Sequence, residues 1–329
     1  MSRPIRLRMA DRLAALRGPA SGQLGIIYVI DRGKFEWQSV LLLASLRRAF
    51  GRALAIHAYI PASVEAEIDA RVVDFHRANG VIPKVLDDAH PGFARPYPHG
   101  NKILACAAPR SEPFGLFVDT DILALKGANP ITALGQGDFG AVPARDGPWR
   151  PDHRDMWDAA YAALDLPLAS GPYPYFNAGT VLFRQAPCFG RSGDQMFGQA
   201  WLEIARALDH AEGLNARRPW LDQIALGVIA GLVAEDKRIA LDRAWNHSLT
   251  GNGQRPDAQT VLLHYHGGAQ GNRLRNVMGR SRIDALLEGD DIFGDFNRML
   301  RALEASIAAH ERPGYKRPPR QAKLKQDWE

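Results

Sequence analysis

Gly115-Leu116-Phe117-Val118-Asp119-Thr120-Asp121-Ile122-Leu123 reads as a short buried strand that ends on two acids with one residue between them. A charge at the end of a core strand is costly unless it is solvated, paired or bound to metal. In an open α/β sheet the carboxyl ends of the strands are where ligands bind. An Asp-x-Asp pair there offers hard oxygens suited to Mn²⁺ or Mg²⁺, ions that also grip a substrate's phosphates. The plain alternative is a solvated turn, where Asp is common anyway.

Upstream, Gly25–Ile30 reads as a buried first strand that ends at Asp31. A helix is expected from about Glu36 to Phe50, stopped by Gly51, and then a strand over Ala55–Ile60. Ser63 is placed to cap a helix with apolar positions Val64, Ile68, Val72 and Phe75, closing at Gly80. A short strand at Val81–Leu86 follows. Strand, helix, strand, helix, strand is a parallel-sheet pattern, and it predicts an α/β sandwich. No Gly-x-Gly-x-x-Gly follows the first strand, which argues against a dinucleotide fold of the dehydrogenase type.

Downstream, Pro130–Leu134 reads as a short helix and Asp138–Val142 as a strand. Residues 145–175, rich in Pro, Trp, Tyr and charge, read as an insertion or active-site lid rather than core. Strand character returns at Tyr175–Phe183, a helix is expected around Gln195–His210, and another starts at Trp220. Arg238–Leu241 reads as a short strand, and Val261-Leu262-Leu263-His264-Tyr265-His266-Gly267-Gly268 as a last strand ending in two histidines that point the same way.

The chain has 329 residues, 46% of them hydrophobic and 23% charged, as in an ordinary globular protein. It has no apolar run of membrane-spanning length and no signal-peptide pattern, so the cytosol is the expected compartment. Cys106 and Cys188, the only cysteines, are too few for a disulfide framework or a thiolate zinc site. The net charge of +5 is concentrated at the ends, with Arg3, Arg6, Arg8, Arg12 and Arg17 in one and Arg312, Lys316, Arg317, Arg320, Lys323 and Lys325 in the other. Such ends suit peripheral contact with an anionic membrane surface, or plain solvation. Nucleic acid is not expected, because the basic tail offers only Tyr315 and Trp328 for base stacking.

Several other residues carry chemistry. Asp31 stands where a nucleotide base or ribose would be touched, or forms a turn. Lys102, at the start of a helix over Gly100–Ala105, suits a phosphate or an acid of the site, although a lone lysine is usually a surface residue. Asn177 offers an amide to sugar hydroxyls, and Ala178 and Gly179 let a ligand approach the backbone. Asp222 in the first turn of a helix also complements the helix dipole. One of the two terminal histidines could complete a metal site with Asp119 and Asp121, and nitrogen plus oxygen ligands suit Mn²⁺.

Taken in order, Asn-Lys-Ile-Leu-Ala (101–105), Phe-Val-Asp-Thr-Asp (117–121), Tyr-Phe-Asn-Ala-Gly (175–179), Leu-Asp-Gln (221–223) and His-Tyr-His-Gly (264–267) resemble nucleotide-sugar glycosyltransferases of the GT-A fold, with glycosyltransferase family 8 nearest. The resemblance runs from about residue 25 to residue 270 and implies a single-domain, Rossmann-like α/β/α sandwich with a mostly parallel sheet. Together with the charge distribution, this divides the chain into a basic segment at 1–22, the transferase domain at 23–275, C-terminal helices at 276–310 and a basic tail, expected to be disordered, at 311–329.

The resemblance also implies a UDP-sugar or similar nucleotide-sugar donor, a glycan or lipid-linked acceptor, and Mn²⁺ (or Mg²⁺) held by Asp119, Asp121 and His264. His264 is chosen over His266 because the family's ligand begins a His-x-x-Gly motif. Asp31, Lys102, Asn177, Gly179 and Gly267 fall at donor-binding positions, and Asp222 and Gln223 at the reacting face. The family continues from His-x-x-Gly into Lys-Pro-Trp, whose Lys binds the diphosphate. Here the chain runs Gly268-Ala269-Gln270-Gly271-Asn272-Arg273, which leaves that part to Arg273 or Arg275. Transfer with retention is the expected outcome. The alternatives are a catalytically silent sugar-nucleotide binder and a phosphatase of the haloacid-dehalogenase type. The phosphatase motif lies on the first strand with Thr or Val two places on, where this chain has Leu123.

Overall fold

Successive residues of a strand face opposite sides of its sheet, and this chain makes both sides apolar. Ile26, Tyr28, Leu116, Val118 and Leu182 pack into one hydrophobic layer, while their neighbours Ile27, Phe117, Val181 and Phe183 pack into the other. All nine are essentially inaccessible to water. Strands buried on both faces need helices on both faces, and the result is the expected α/β/α sandwich.

The computed structural model describes residues 18–87, 92–144, 148–249 and 256–266, together with 283, 284, 287 and 288. The strands are β1 (Leu24–Val29), β2 (Ala55–Pro61), β3 (Lys84–Leu86), β4 (Phe114–Val118), β5 (Ile122–Ala124), β6 (Phe139–Pro143), β7 (Phe176–Arg184), β8 (Arg238–Ala240), β9 (His247–Ser248) and β10 (Leu262–His264). The α-helices are α1 (Lys34–Phe50), α2 (Ala70–Ala78), α3 (Gly100–Ala107), α4 (Pro130–Leu134), α5 (Arg154–Ala163), α6 (Phe197–His210) and α7 (Leu221–Leu232).

Seven strands form one sheet in the order β3-β2-β1-β4-β7-β6-β8, and a small second sheet runs β5-β10-β9. In the large sheet β1 is parallel to β2 and β4, β2 to β3, and β6 to β8, while β7 is antiparallel to both β4 and β6. The sheet is therefore mostly parallel, with one reversed strand beside β4. Ile27 lies opposite Phe117, so Asp31 beyond β1 and Asp119 beyond β4 reach the same carboxyl edge.

Two local expectations are corrected. Ser63 caps no α-helix. The segment breaks into a 3₁₀ turn (Ala62–Glu67), an extended Ile68, and then α2, whose cap is Asp69 accepting from the Arg71 amide. The Asp69 carboxylate competes for backbone amides and so restarts the helix there. Residues 148–175 contribute a buried aromatic cluster to the core. They hold α5, and Trp149, Trp157 and Tyr173 are fully buried, with Trp157 stacked on Tyr173 at 5.8 Å. Composition alone misread them, because buried Trp and Tyr also need polar partners. Trp157 Nε1 donates to the Trp149 carbonyl and Tyr173 Oη to Asp158. Lys102 pairs with acids at the sheet edge, one of the readings the sequence offered for it, as the next subsection describes.

No helix among the described residues is long and apolar enough to cross a membrane. The basic segments 1–17 and 311–329 lie outside the described residues. So do the C-terminal helices expected over 276–310, apart from Ile283 and Leu287, which are buried in the same hydrophobic layer as Trp37 and Ile68.

Candidate active site

The Asp-x-Asp turn is clamped by backbone from both sides. The Asp119 amide donates to the Gly179 carbonyl of β7 at 2.8 Å, and the Asp121 carbonyl accepts from the Tyr265 amide at 3.0 Å. Between them the Ile122 amide closes the turn onto the Asp119 carbonyl at 3.2 Å. The small sheet then sets the partners. β10 is antiparallel to β5 with His264 opposite Ile122, and parallel to β9 with His264 opposite Ser248. This register brings His264 beside Asp121 on one side and beside Asn246, just before β9, on the other.

The histidine is oriented at both ring nitrogens. Nδ1 lies 2.8 Å from Asn246 Oδ1 and Nε2 lies 3.1 Å from Asp121 Oδ1. Asn246 Nδ2 donates in turn to Asn177 Oδ1 at 2.8 Å, and the Gly179 amide donates to the same oxygen at 2.8 Å. An amide oxygen can only accept, so Nδ1 carries the proton and Nε2 is left as the ligand atom. Its lone pair then faces a carboxylate oxygen, an arrangement that calls for a proton or a cation between them.

Asp119, Asp121 and His264 each offer a ligand atom, all within 4.8 Å of one another, and together they could hold a divalent metal ion. The charges agree. Around this point three carboxylates, Asp119, Asp121 and Asp222, face one ammonium, Lys102, which leaves two negative charges for a divalent cation to offset. The oxygen-and-imidazole donor set suits Mn²⁺ or Mg²⁺.

Lys102 projects from α3 between two strand and helix ends. Its Nζ is 3.1 Å from Asp119 Oδ1 and 3.0 Å from Asp222 Oδ2. Asp222, in the first turn of α7, is only 3% exposed. Its other oxygen accepts from Tyr97 Oη at 2.9 Å, and its amide donates back to that oxygen at 2.9 Å. Asp222 is therefore far more than a complement to the helix dipole.

Burial works against every charge here, and the partners decide the outcome. For Lys102 burial disfavours the ammonium, but Asp119 and Asp222 outweigh it and hold the lysine above its ordinary value. Asp222 is likewise opposed by burial yet held below the usual carboxylate range by Lys102, with His99 and Tyr97 adding to it. Asp121 is opposed by burial and held low by His264, His266 and Lys102. Asp119 is the exception: burial, with the nearby Asp121 charge, keeps its carboxyl above the usual range despite Lys102.

The other expected residues fall as follows. The Asp31 carboxylate accepts from the Arg32 amide at 2.7 Å, forming the turn after β1 at the same sheet edge. Asn177 spends its oxygen within the site, while its Nδ2 has no protein partner among the described residues. Gly179 leaves room for His264, since a Cβ there would meet His264 Cε1 at 2.5 Å. Gln223 follows Asp222 in α7, is half-buried, and has no side-chain hydrogen bond among the described residues. His266 packs against His264, with ring centres 3.9 Å apart and planes tilted by 41°, and lies 3.1 Å from Ser248 Oγ. Gly267, Arg273 and Arg275 lie outside the described residues.

Two members were not identified from the sequence. Tyr97 lies in a loop with no motif. Asn246 gave only the weak signal of a polar residue between Trp245 and a short strand.

The family described as the Rhodobacterales glycosyltransferase domain matches residues 26–232. No curated protein matches the sequence. Among solved structures, an active-site mutant of LgtC is similar with 16% identity and a TM-score of 0.49, over 80% of this chain and 95% of that one. The galactosyltransferase LgtC in complex with donor and acceptor sugar analogs has 14% identity and a TM-score of 0.48, over 82% and 99%. Mouse xyloside xylosyltransferase 1 has 14% identity and a TM-score of 0.41, over 77% and 99%.

Proposed function

Because the chain belongs to the Rhodobacterales glycosyltransferase domain family, we propose that it moves a sugar from a nucleotide diphosphate donor, UDP-linked in the first instance, to a hydroxyl of a glycan or lipid-linked acceptor. The observation that carries this reading is the cluster of Asp119, Asp121 and His264, with ligand atoms within 4.8 Å and the imidazole oriented by Asn246. These three residues would hold Mn²⁺ in preference to Mg²⁺, given the nitrogen ligand. An ion bound there acts as a Lewis acid on the diphosphate and stabilises the negative charge that develops as the sugar C1–O bond breaks.

The remaining residues have separable parts. Lys102 holds Asp222 ionised, pairs with Asp119, and places a fixed positive charge beside the leaving phosphate. The free Nδ2 of Asn177 donates to sugar hydroxyls. Asp222, held by Lys102 and Tyr97, and the unengaged Gln223 line the reacting face of the sugar. Asp31 meets the nucleoside at the end of β1, while Gly267 and Arg273 complete the diphosphate side. Retention of configuration is part of this proposal, as is peripheral contact of the basic ends with the inner membrane face.

UDP release from a panel of UDP-sugars, with Mn²⁺ and then with a chelator, tests the reading. Release that needs metal and disappears in Asp121→Ala and His264→Ala is expected. Release indifferent to the chelator would sink the metal assignment, and no release from any UDP-sugar would sink the donor. An inverted product anomer, assigned by NMR, would overturn retention.

A further inference from the structure

Outside the metal centre, an open cavity of about 430 Å³ lies between the 94–95 backbone and the segment after α6, lined by Arg95, Arg217, Arg218, Asp209, Leu214 and Ala216 among others. Its charge is unbalanced, with three guanidiniums facing one carboxylate. Asp209 is 1% exposed, and its oxygens are already taken. They accept from Arg218 Nε at 2.9 Å, Arg218 Nη2 at 2.6 Å and the Ala94 amide at 2.8 Å. Arg218 also donates to the carbonyls of Pro96 and Arg95, so its guanidinium is fixed in the wall.

Arg217 is compensated less. It lies 3.8 Å from Asp209 Oδ1, beyond hydrogen-bond reach, and donates to the Leu214 and Asp209 backbone carbonyls, which carry no net charge. Arg95 is exposed and makes no side-chain hydrogen bond or ion pair among the described residues. Arg95 therefore has no carboxylate among the described residues, and Arg217 shares Asp209 with the closer Arg218, which leaves excess positive charge at this cavity. Guanidinium forks match phosphate and carboxylate oxygens two at a time. Forks held in place beforehand lose little freedom on binding.

The cavity wall packs against the reacting face through a buried ring, Tyr97 being 3% exposed. The Arg218 guanidinium lies 4.4 Å over the Tyr97 ring, and Tyr97 Oη bonds Asp222. One aromatic ring thus separates the arginine cluster from the carboxylate that Lys102 joins to Asp119.

Resting on the transferase reading above, we propose that this cavity seats an anionic group, a phosphate or a carboxylate, carried by the acceptor glycan. The acceptor is then a charged saccharide, held by Arg95 and Arg217 against the fixed Arg218.

The test is a ³¹P NMR titration of the full chain with inorganic phosphate, without metal or nucleotide, and a parallel calorimetric titration with glucuronate. Saturable binding of either is expected, weakened roughly tenfold in Arg95→Gln and in Arg217→Gln and unchanged in Asp121→Asn. Phosphate binding alone would name a phosphorylated acceptor, and glucuronate alone a uronic one. Absence of binding by both anions, undiminished affinity in both arginine variants, or displacement of the anion by UDP with Mn²⁺ would overturn the proposal, the last by placing the anion in the donor site. A chain that binds phosphate here but never binds UDP would instead overturn the transferase reading, so the two failures are distinguishable.

Discussion

His264 Nδ1 lies 2.8 Å from Asn246 Oδ1, and this one hydrogen bond decides which ring nitrogen faces Asp121. Removing such a partner typically costs a metal site roughly ten- to hundredfold in affinity. Asn246→Ala is therefore expected to weaken Mn²⁺ binding by about that factor, measured by calorimetry. Asn246→Asp, which still accepts from Nδ1, should restore most of it. Equal losses in the two variants would mean that Asn246 acts through Asn177 rather than through the imidazole.

Gly179 makes a separate prediction about the same ring. A methyl group there would sit 2.5 Å from His264 Cε1 and 2.9 Å from Nδ1, so the imidazole has to move. Gly179→Ala should keep the fold, by circular dichroism, yet bind Mn²⁺ more than tenfold more weakly, on the order of the loss of an orienting partner. Unchanged Mn²⁺ affinity would show that the site tolerates a displaced His264 and does not use it as a ligand.

Lys102 neutralises buried acid, and its loss would be felt in stability as well as activity. Lys102→Met leaves Asp222 in place, 3% exposed and without its cation. Breaking a buried pair from one side costs about 3–5 kcal/mol, to be read from urea unfolding. Lys102→Arg keeps the charge and should recover most of that loss. A small effect in Lys102→Met would show that Asp222 takes up a proton or a solvent path instead.

His76 predicts an acid-sensitive stability unrelated to the site. It is fully buried, its Nδ1 donates to the Val72 carbonyl, and its Nε2 has no partner among the described residues. Burial lowers its value from 6.5 to about 4, with the Val72 hydrogen bond only partly opposing the shift. Below pH 6.5 the unfolded chain therefore takes up a proton that the folded chain refuses until about pH 4. Stability should fall across that window by about 3 kcal/mol and then level off as far as this group is concerned. Urea unfolding at several pH values should show that slope, and His76→Leu should flatten it. An identical slope in His76→Leu would assign the loss to the carboxylates.

How much could be read in advance divides along a physical line. Strands β1, β2, β4 and β7 and helices α1, α6 and α7 were legible because a strand buried on both faces is a continuous apolar run, and a core helix repeats its apolar residues at helical spacing. Asp119 and Asp121 were legible because two charges at the end of such a run demand an explanation. Residues 148–175 misled because their core is built of Trp and Tyr, whose polar atoms resemble surface chemistry in composition. The capping of α2 misled because Ser63 and Asp69 are both good caps, and local sequence does not say which competes better for the free amides.

The sequence by itself determined the α/β/α layers, the edge of the sheet where chemistry occurs, and the residue types gathered there, since these follow from periodicity and from the cost of burying charge. Only the tertiary structure decided which groups meet. The register of β5, β10 and β9 chose His264 and gave it Asn246. The packing of α3 against the ends of β4 and α7 made Lys102 the link between Asp119 and Asp222. A loop without a motif supplied Tyr97 and, beyond it, the arginine-lined cavity. Hydrogen bonds and ion pairs act over about 3 Å, whereas the residues that make them here lie far apart along the chain, so only folding could bring them together.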